Sequence, residues 1–205
     1  RPQLATLAKQ VRLSDIGDLG EAASHEELVT CDLADAQAVS SLVEGCDAII
    51  HLGGVSLEKP WNSILQANII GTYNLYEAAR QHGKPRIIFA SSNHTTGYYE
   101  RTQKLDTQVP HRPDSIYGVS KCFGEDLACL YYHKFDIETL SVRIGWCQSG
   151  ENLPATLSGT GSHFHAQSTS AASETDRWFK EMWLSNRDFC QLFQRAETAC
   201  APVVD

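Results

Sequence analysis

Five short apolar runs constrain what this chain can fold into: Val11–Asp15 (VRLSD), Leu28–Cys31 (LVTC), Ala48–Leu52 (AIIHL), Arg86–Ala90 (RIIFA) and Thr139–Ile144 (TLSVRI). Runs this short that are apolar on both faces suit strands of a buried parallel sheet. Helical patterns separate them. Asp35–Val43 opens on an acidic residue able to cap a first turn. Asn62–Gln81 carries a wide stripe of Ile64, Leu65, Asn68, Ile69, Tyr73, Leu75, Tyr76 and Ala79, and Gly83 and Pro85 stop it. Asp114–Lys134 is the third long helix, and Ser185 can cap a last one through Ala196, with Pro202–Val204 as a further strand. Strand and helix in alternation predict βαβ units with right-handed crossovers, hence an α/β fold.

The third helix places Tyr117 and Lys121 four residues apart, about one turn, so both project from one face. An ammonium beside a phenol favours the phenolate, a usable proton acceptor. A surface tyrosine beside a solvated lysine has the same spacing, so the rest of the chain must decide. In open parallel sheets ligands bind beyond the carboxyl ends of the strands. Asp15 closes the first strand, where a carboxylate accepts both ribose hydroxyls of NAD and repels a 2′-phosphate, or simply caps a turn. Asp32 closes the second and is placed for an adenine amine or for capping the helix near Asp35. Gly53 and Gly54 admit a close backbone approach to a cofactor, or a tight turn. Ser91-Ser92-Asn93-His94 sets a dense cluster of donors and acceptors where a substrate should lie.

The chain of 205 residues is long enough for one substantial core. Its formal charge of −8, from 17 basic and 25 acidic side chains, argues against a nucleic-acid surface. No apolar run is long enough to span a bilayer and no signal peptide is visible at the start, so no membrane partner and a cytoplasmic location are expected. Seven scattered cysteines without a C-x-x-C pair point to reduced thiols. His163 and His165 lack partner ligands, so no metal is expected. Residues 151–176 hold 15 Ser, Thr, Gly or Ala among 26 and show no periodicity, which reads as a loop or flexible insertion. The expected organisation is a domain over 1–147, this insertion over 148–177, and a partial helix-strand segment over 178–205.

Ser92 stands 25 residues before Tyr117, and Asn68-Ile69-Ile70-Gly71-Thr72 has the form N-x-x-G-T. With these, HLGGVSLEKP, NIIGTYNLYEAAR, RIIFASSNHTTGYY, RPDSIYGVSKCFGE and VRIG resemble the bacterial uronate dehydrogenases of the extended short-chain dehydrogenase/reductase family, over residues 5–147. The resemblance implies a Rossmann-type doubly wound parallel sheet, NAD as cofactor, and oxidation of a hexuronic acid at C1 to an aldarolactone that opens to an aldaric acid. It gives Tyr117 proton transfer, Ser92 a hydrogen bond to the reacting oxygen, and Lys121 the nicotinamide ribose together with a lowered Tyr117 pKa. Asp15, Ile16, Asp32, Leu33, Leu52, Gly53, Gly54, Ile144 and Cys147 match cofactor positions, as do Tyr117 and Lys121. Ser56, Asn93 and His94 match substrate positions beside Ser92. The partner is then a small sugar acid, with a homo-oligomer among the expected states. A nucleotide-sugar epimerase or dehydratase uses the same tyrosine and lysine. A non-catalytic binding protein on the same fold is the third reading.

Three features depart from the family pattern. The family opens with a strand and a G-x-x-G-x-x-G turn that cradles pyrophosphate. No such stretch occurs here, and Arg1–Gln10 reads as the last turns of the helix that normally follows it. Trp146 stands where a small residue faces the substrate, and the insertion interrupts the region that delivers an arginine to the substrate carboxylate, for which Arg177 is the nearest candidate. The sheet is therefore expected to be incomplete at both ends, with weak NAD binding by this chain alone.

Overall fold

The structure, a computed structural model, describes residue 4 and residues 8–147 and 181–198. Strands β1 (Val11–Asp15), β2 (Glu26–Thr30), β3 (Ala48–His51), β4 (Arg86–Ser92) and β5 (Thr139–Ile144) alternate with helices α1 (Ala36–Val43), α2 (Trp61–Ile64), α3 (Gly71–Gln81), α4 (Ile116–Phe135) and α5 (Asn186–Thr198). All strand pairing among the described residues is parallel, in two pieces ordered β2-β1 and β3-β4-β5. The α/β expectation holds, and the sheet is divided between β1 and β3.

Two strands differ from the sequence expectation in ways that matter. β2 begins at Glu26, because Val11 pairs with Glu26 and Asp15 with Thr30. β4 runs on to Ser92, because Ser91 and Ser92 pair with Arg143 and Ile144 of β5. Polar side chains hid that extension. Burial on both faces is realised in β4, from Ile87 onward, while the other strands are mostly half-buried.

The alternation along β4 sorts the core. Ile87 and Phe89 pack with Val39, Val43, Leu75, Tyr76, Leu127 and Tyr131 from α1, α3 and α4. Ile88 points the other way, to Phe193 and Ala196 of α5. A period of two places successive side chains on opposite faces, so helices cover both faces of β4, as a doubly wound sheet requires.

Side-chain caps fix the helix starts. Asp35 accepts from the amides of Gln37 and Ala38, and Ser115 from that of Gly118. Ser185 accepts from Asp188 at 2.9 Å. The helix expected over Asn62–Gln81 is interrupted by a π-helical segment, Leu65–Ile70, between α2 and α3. Asn68 sits in it, buried. Its Nδ2 donates to Val55 O and to Ser120 Oγ, both at 2.9 Å, while its Oδ1 accepts from Val55 N at 2.7 Å. One extra residue per turn aims this amide at the loop after β3 and at α4 together, and such bulges recur at functional sites. The insertion over 148–177, His163, His165, Arg177 and the strand expected at Pro202–Val204 lie outside the described residues. Among the described residues no helix is long and apolar enough to cross a membrane.

Candidate active site

β4 delivers Ser92 to its carboxyl end, where the chain turns through a short 3-10 helix, Asn93–Thr96. Ser92 Oγ accepts from His94 N and donates to Asn93 Oδ1, each at 3.2 Å. The first turn of α4 lies against this corner. A Cβ on Gly118 would stand 2.5 Å from His94 O, so the missing side chain is what lets the helix approach. Tyr117 and Lys121 therefore face Ser92, and all three are buried, at 7%, 7% and 5% exposure. Ser92 hydrogen-bonds the Tyr117 hydroxyl. Lys121 Nζ lies 5.7 Å from the Tyr117 ring centre and 5.1 Å from that of Phe89. From the loop after β3, Glu58 Oε2 accepts the Tyr117 amide at 2.9 Å, which satisfies a first-turn donor of α4.

The electrostatics correct one expectation. Burial raises the Tyr117 pKa above its usual value, and the Ser92 hydrogen bond only partly opposes it. Lys121 does not offset that shift, since burial lowers its own pKa to about 8. In this structure the pair is a neutral phenol beside a readily deprotonated ammonium. The lowered tyrosine expected from the one-turn spacing is not found, because spacing alone carries no account of desolvation.

Lys121 gives a testable pH dependence. Unfolded lysine holds its proton up to 10.5 and the folded one only to about 8. Between these values the unfolded chain binds more protons, so stability rises with pH across that window. Lys121→Met should stabilise the fold at neutral pH by roughly 3 kcal/mol, a gain that vanishes above the unfolded value. Urea midpoints on both sides of the window check it.

His51 lies deeper, at the end of β3. Burial, then the charge of Lys121, lowers its pKa from 6.5 to about 3. Its Nε2 meets Thr72 Oγ1 at 3.3 Å. The unfolded chain binds the extra proton between these two values, so stability falls as pH drops from 6.5 toward 3. Chemical unfolding of His51→Gln should show a smaller loss over that window than the parent chain.

Ser92, Tyr117 and Lys121 open onto a cleft of about 1500 Å³. Of the positions expected from sequence it gathers Leu52, Gly54, Ser56, Ser92, Asn93, His94, Tyr117, Lys121, Ile144 and Cys147. Gly54 lies at φ 126, a left-handed backbone that glycine adopts readily. Trp146 lines the cleft too, bridged to Trp183 through hydrogen bonds with Met182 and Leu184. Asp15, Ile16, Asp32, Leu33 and Gly53 are not in its lining. Asp15 and Asp32 accept from Gly17 N and Ala34 N, so both serve turns, and Ile16 is 73% exposed. Leu33 packs beneath Gly53, where an added Cβ would stand 2.8 Å from Leu33 Cδ1.

Sequence reasoning missed Glu58, Asp114 and Glu125. Glu125 accepts from Arg143 at 2.8 and 3.0 Å, from the Ser91 hydroxyl, and meets His111 Nε2 at 2.9 Å. Burial alone would raise its pKa, but those hydrogen bonds outweigh burial and lower it. One turn beyond Lys121 on α4, its spacing was a usable signal.

A parallel sheet covered on both faces, with serine, tyrosine and lysine converging at the strand ends, defines a Rossmann-type protein of short-chain dehydrogenase/reductase architecture. A family model described as "NAD dependent epimerase/dehydratase family" matches residues 3–169, and the chain belongs to that family. It is 59% identical over 163 residues to a uronate dehydrogenase of Agrobacterium fabrum, covering 80% of this chain and 62% of that protein. With the uronate dehydrogenase of Pseudomonas syringae pv. tomato it shares 44% over 197 residues, 96% of this chain and 63% of the relative. Among solved structures, glucuronic acid dehydrogenase from Chromohalobacter salexigens superposes with a TM-score of 0.80 at 60% identity, covering 97% of this chain and 66% of the other. A tyrosine-to-alanine mutant of the Agrobacterium tumefaciens uronate dehydrogenase, complexed with NAD, also gives 0.80, at 48% identity and 98% and 66% coverage. The chain thus spans just under two thirds of the length of these relatives.

Proposed function

We propose that this chain carries the substrate and proton-transfer site of an NAD-dependent uronate dehydrogenase, which oxidises a hexuronic acid such as glucuronate or galacturonate at C1 to the aldarolactone. The observation that carries the proposal is the convergence of Ser92, Tyr117 and Lys121 with Ser56, Asn93 and His94 in one cleft. Identity to proteins named uronate dehydrogenase supports the choice of substrate.

The residues suit the cofactor at one end of its length. Lys121, Tyr117, Ile144 and Cys147 line the cleft where a nicotinamide and its ribose would rest, and Gly54 lets backbone approach. Asp15, at the end of β1, offers an exposed carboxylate to the adenosine ribose. When bound, NAD supplies the acceptor for the hydride leaving C1. Tyr117 Oη takes the proton of the C1 hydroxyl. Ser92 Oγ donates to the same oxygen, holding its charge as the carbonyl forms. Burial favours the phenol form of Tyr117, so the phenolate needs a cation beside it. Lys121, lowered only to about 8 and hence still protonated at neutral pH, is placed to be that cation. Asn93, His94 and Ser56 grip ring hydroxyls. The cysteines of the described residues are free thiols, which supports a cytoplasmic location. Exposed Ile116, Val119 and Leu130 on α4 support a homo-oligomer.

NAD binding by this chain alone should be weak, because the sequence has no G-x-x-G-x-x-G turn for the pyrophosphate. Calorimetric titration is expected to give an affinity poorer than micromolar, and micromolar binding would contradict that. The reaction itself is tested by NADH formation at saturating NAD with glucuronate, galacturonate or UDP-glucose. NADH with a uronate supports the proposal. Epimerisation of UDP-glucose without net NADH would replace it with the epimerase reading, and NAD binding without turnover would favour a binding protein.

A further inference from the structure

His94 is held by a residue that nothing above places in the reaction. Its Nδ1 lies 2.8 Å from Asp114 Oδ1, and its ring meets Tyr117 edge-on, with centres 5.5 Å apart. Asp114 closes the loop that leads into α4. The Ser115 hydroxyl donates to the same Oδ1 at 3.0 Å, and Asp114 N donates to His94 O at 3.4 Å. Both side chains are about one-third exposed and line the cleft. Burial pushes the Asp114 carboxyl up, but the hydrogen bonds from His94 and Ser115 outweigh it, so the group stays ionised at neutral pH.

An ionised carboxylate only accepts hydrogen bonds, so the imidazole nitrogen facing it must carry a proton. A neutral imidazole protonated at Nδ1 has its lone pair on Nε2. With Nδ1 engaged, Nε2 is the nitrogen left for a ligand. We propose that Asp114 is a positioning residue that fixes His94 in its Nδ1–H form, so that Nε2 offers an acceptor beside Tyr117 and the substrate must present a hydroxyl there, not a carbonyl or carboxylate. A site built to accept from a hydroxyl discriminates strongly against an analogue lacking it, because a polar group is left unpaired. Which hydroxyl it is rests on the uronate reading; the state of the ring does not.

Imidazole nitrogen NMR on the labelled chain at a pH where His94 is neutral reads the ring directly, with His94→Gln assigning the resonances. The expected spectrum has a protonated, pyrrole-type Nδ1 and a pyridine-type Nε2. Asp114→Ala should release the ring toward the Nε2–H form, and Asp114→Asn, which keeps an acceptor oxygen, should retain Nδ1–H. A pyridine-type Nδ1 in the unsubstituted chain overturns the proposal whatever the variants do. So does an unchanged tautomer in folded Asp114→Ala. In the uronate assay Asp114→Ala should raise KM by about tenfold, the worth of one lost hydrogen bond, with a much smaller change in kcat. An equal fall in kcat with KM unchanged contradicts the positioning role. If the parent chain turns over no uronate, the substrate reading fails while the spectrum still decides the role of Asp114.

Discussion

Tyr117→Phe is expected to reduce NADH formation from glucuronate by roughly 10²–10⁴-fold, the range that a positioned general acid–base group contributes. The ring stays in place, since it is 7% exposed and packed edge-on to His94. What goes is the hydroxyl that meets Ser92 and would take the substrate proton. Loss of one partly satisfied hydrogen bond should move the melting temperature by only about 2–4 °C in a chain of this size. A large activity loss on a small stability change separates chemistry from folding. Near-normal turnover in Tyr117→Phe would remove Tyr117 from the mechanism.

Glu125→Leu should produce the opposite profile, a large stability loss. Glu125 is 12% exposed and takes hydrogen bonds from Arg143 and Ser91, two residues directly paired across β5 and β4, while His111 adds the loop before α4. Removing it leaves the guanidinium of Arg143, 26% exposed, without its carboxylate. Stranding one partner of a largely buried pair costs roughly 3–5 kcal/mol. Glu125→Gln should lose less, because the amide oxygen still accepts from Arg143. Since the folded-state pKa of Glu125 is lowered, its contribution is present above the unfolded carboxylate range and is lost as pH falls through the folded value. The gap between the parent chain and Glu125→Gln should therefore shrink in acid. Urea melts at neutral and acidic pH measure both effects, and equal midpoints for parent and Glu125→Leu would refute this stabilising role for Glu125.

The frame of the molecule was legible because it rests on periodicity. Ile87, Ile88 and Phe89 announce a strand buried on both faces, and Asp35 and Ser185 announce helix starts through side-chain capping. Tyr117, Lys121 and Ser92 were legible as a site because a helical turn and a strand end bring them together. Other features depend on tertiary contact. Ser91 and Ser92 belong to β4 only because β5 pairs with them. The π-helical segment follows from what Asn68 must reach, two segments distant in sequence. The raised Tyr117 pKa needs the burial that only the folded cleft supplies. Asp114 and Glu125 looked like ordinary acidic residues flanking or riding a helix until their partners, His94 and Arg143, were in place.

The central claim is tested most directly by following C1 of carbon-labelled glucuronate by NMR while the chain is incubated with excess NAD. The account predicts loss of the anomeric C1 signal, a lactone carbonyl and then a carboxylate in its place, and one NADH per molecule oxidised. An unchanged C1 signal with NAD and glucuronate both saturating would contradict it.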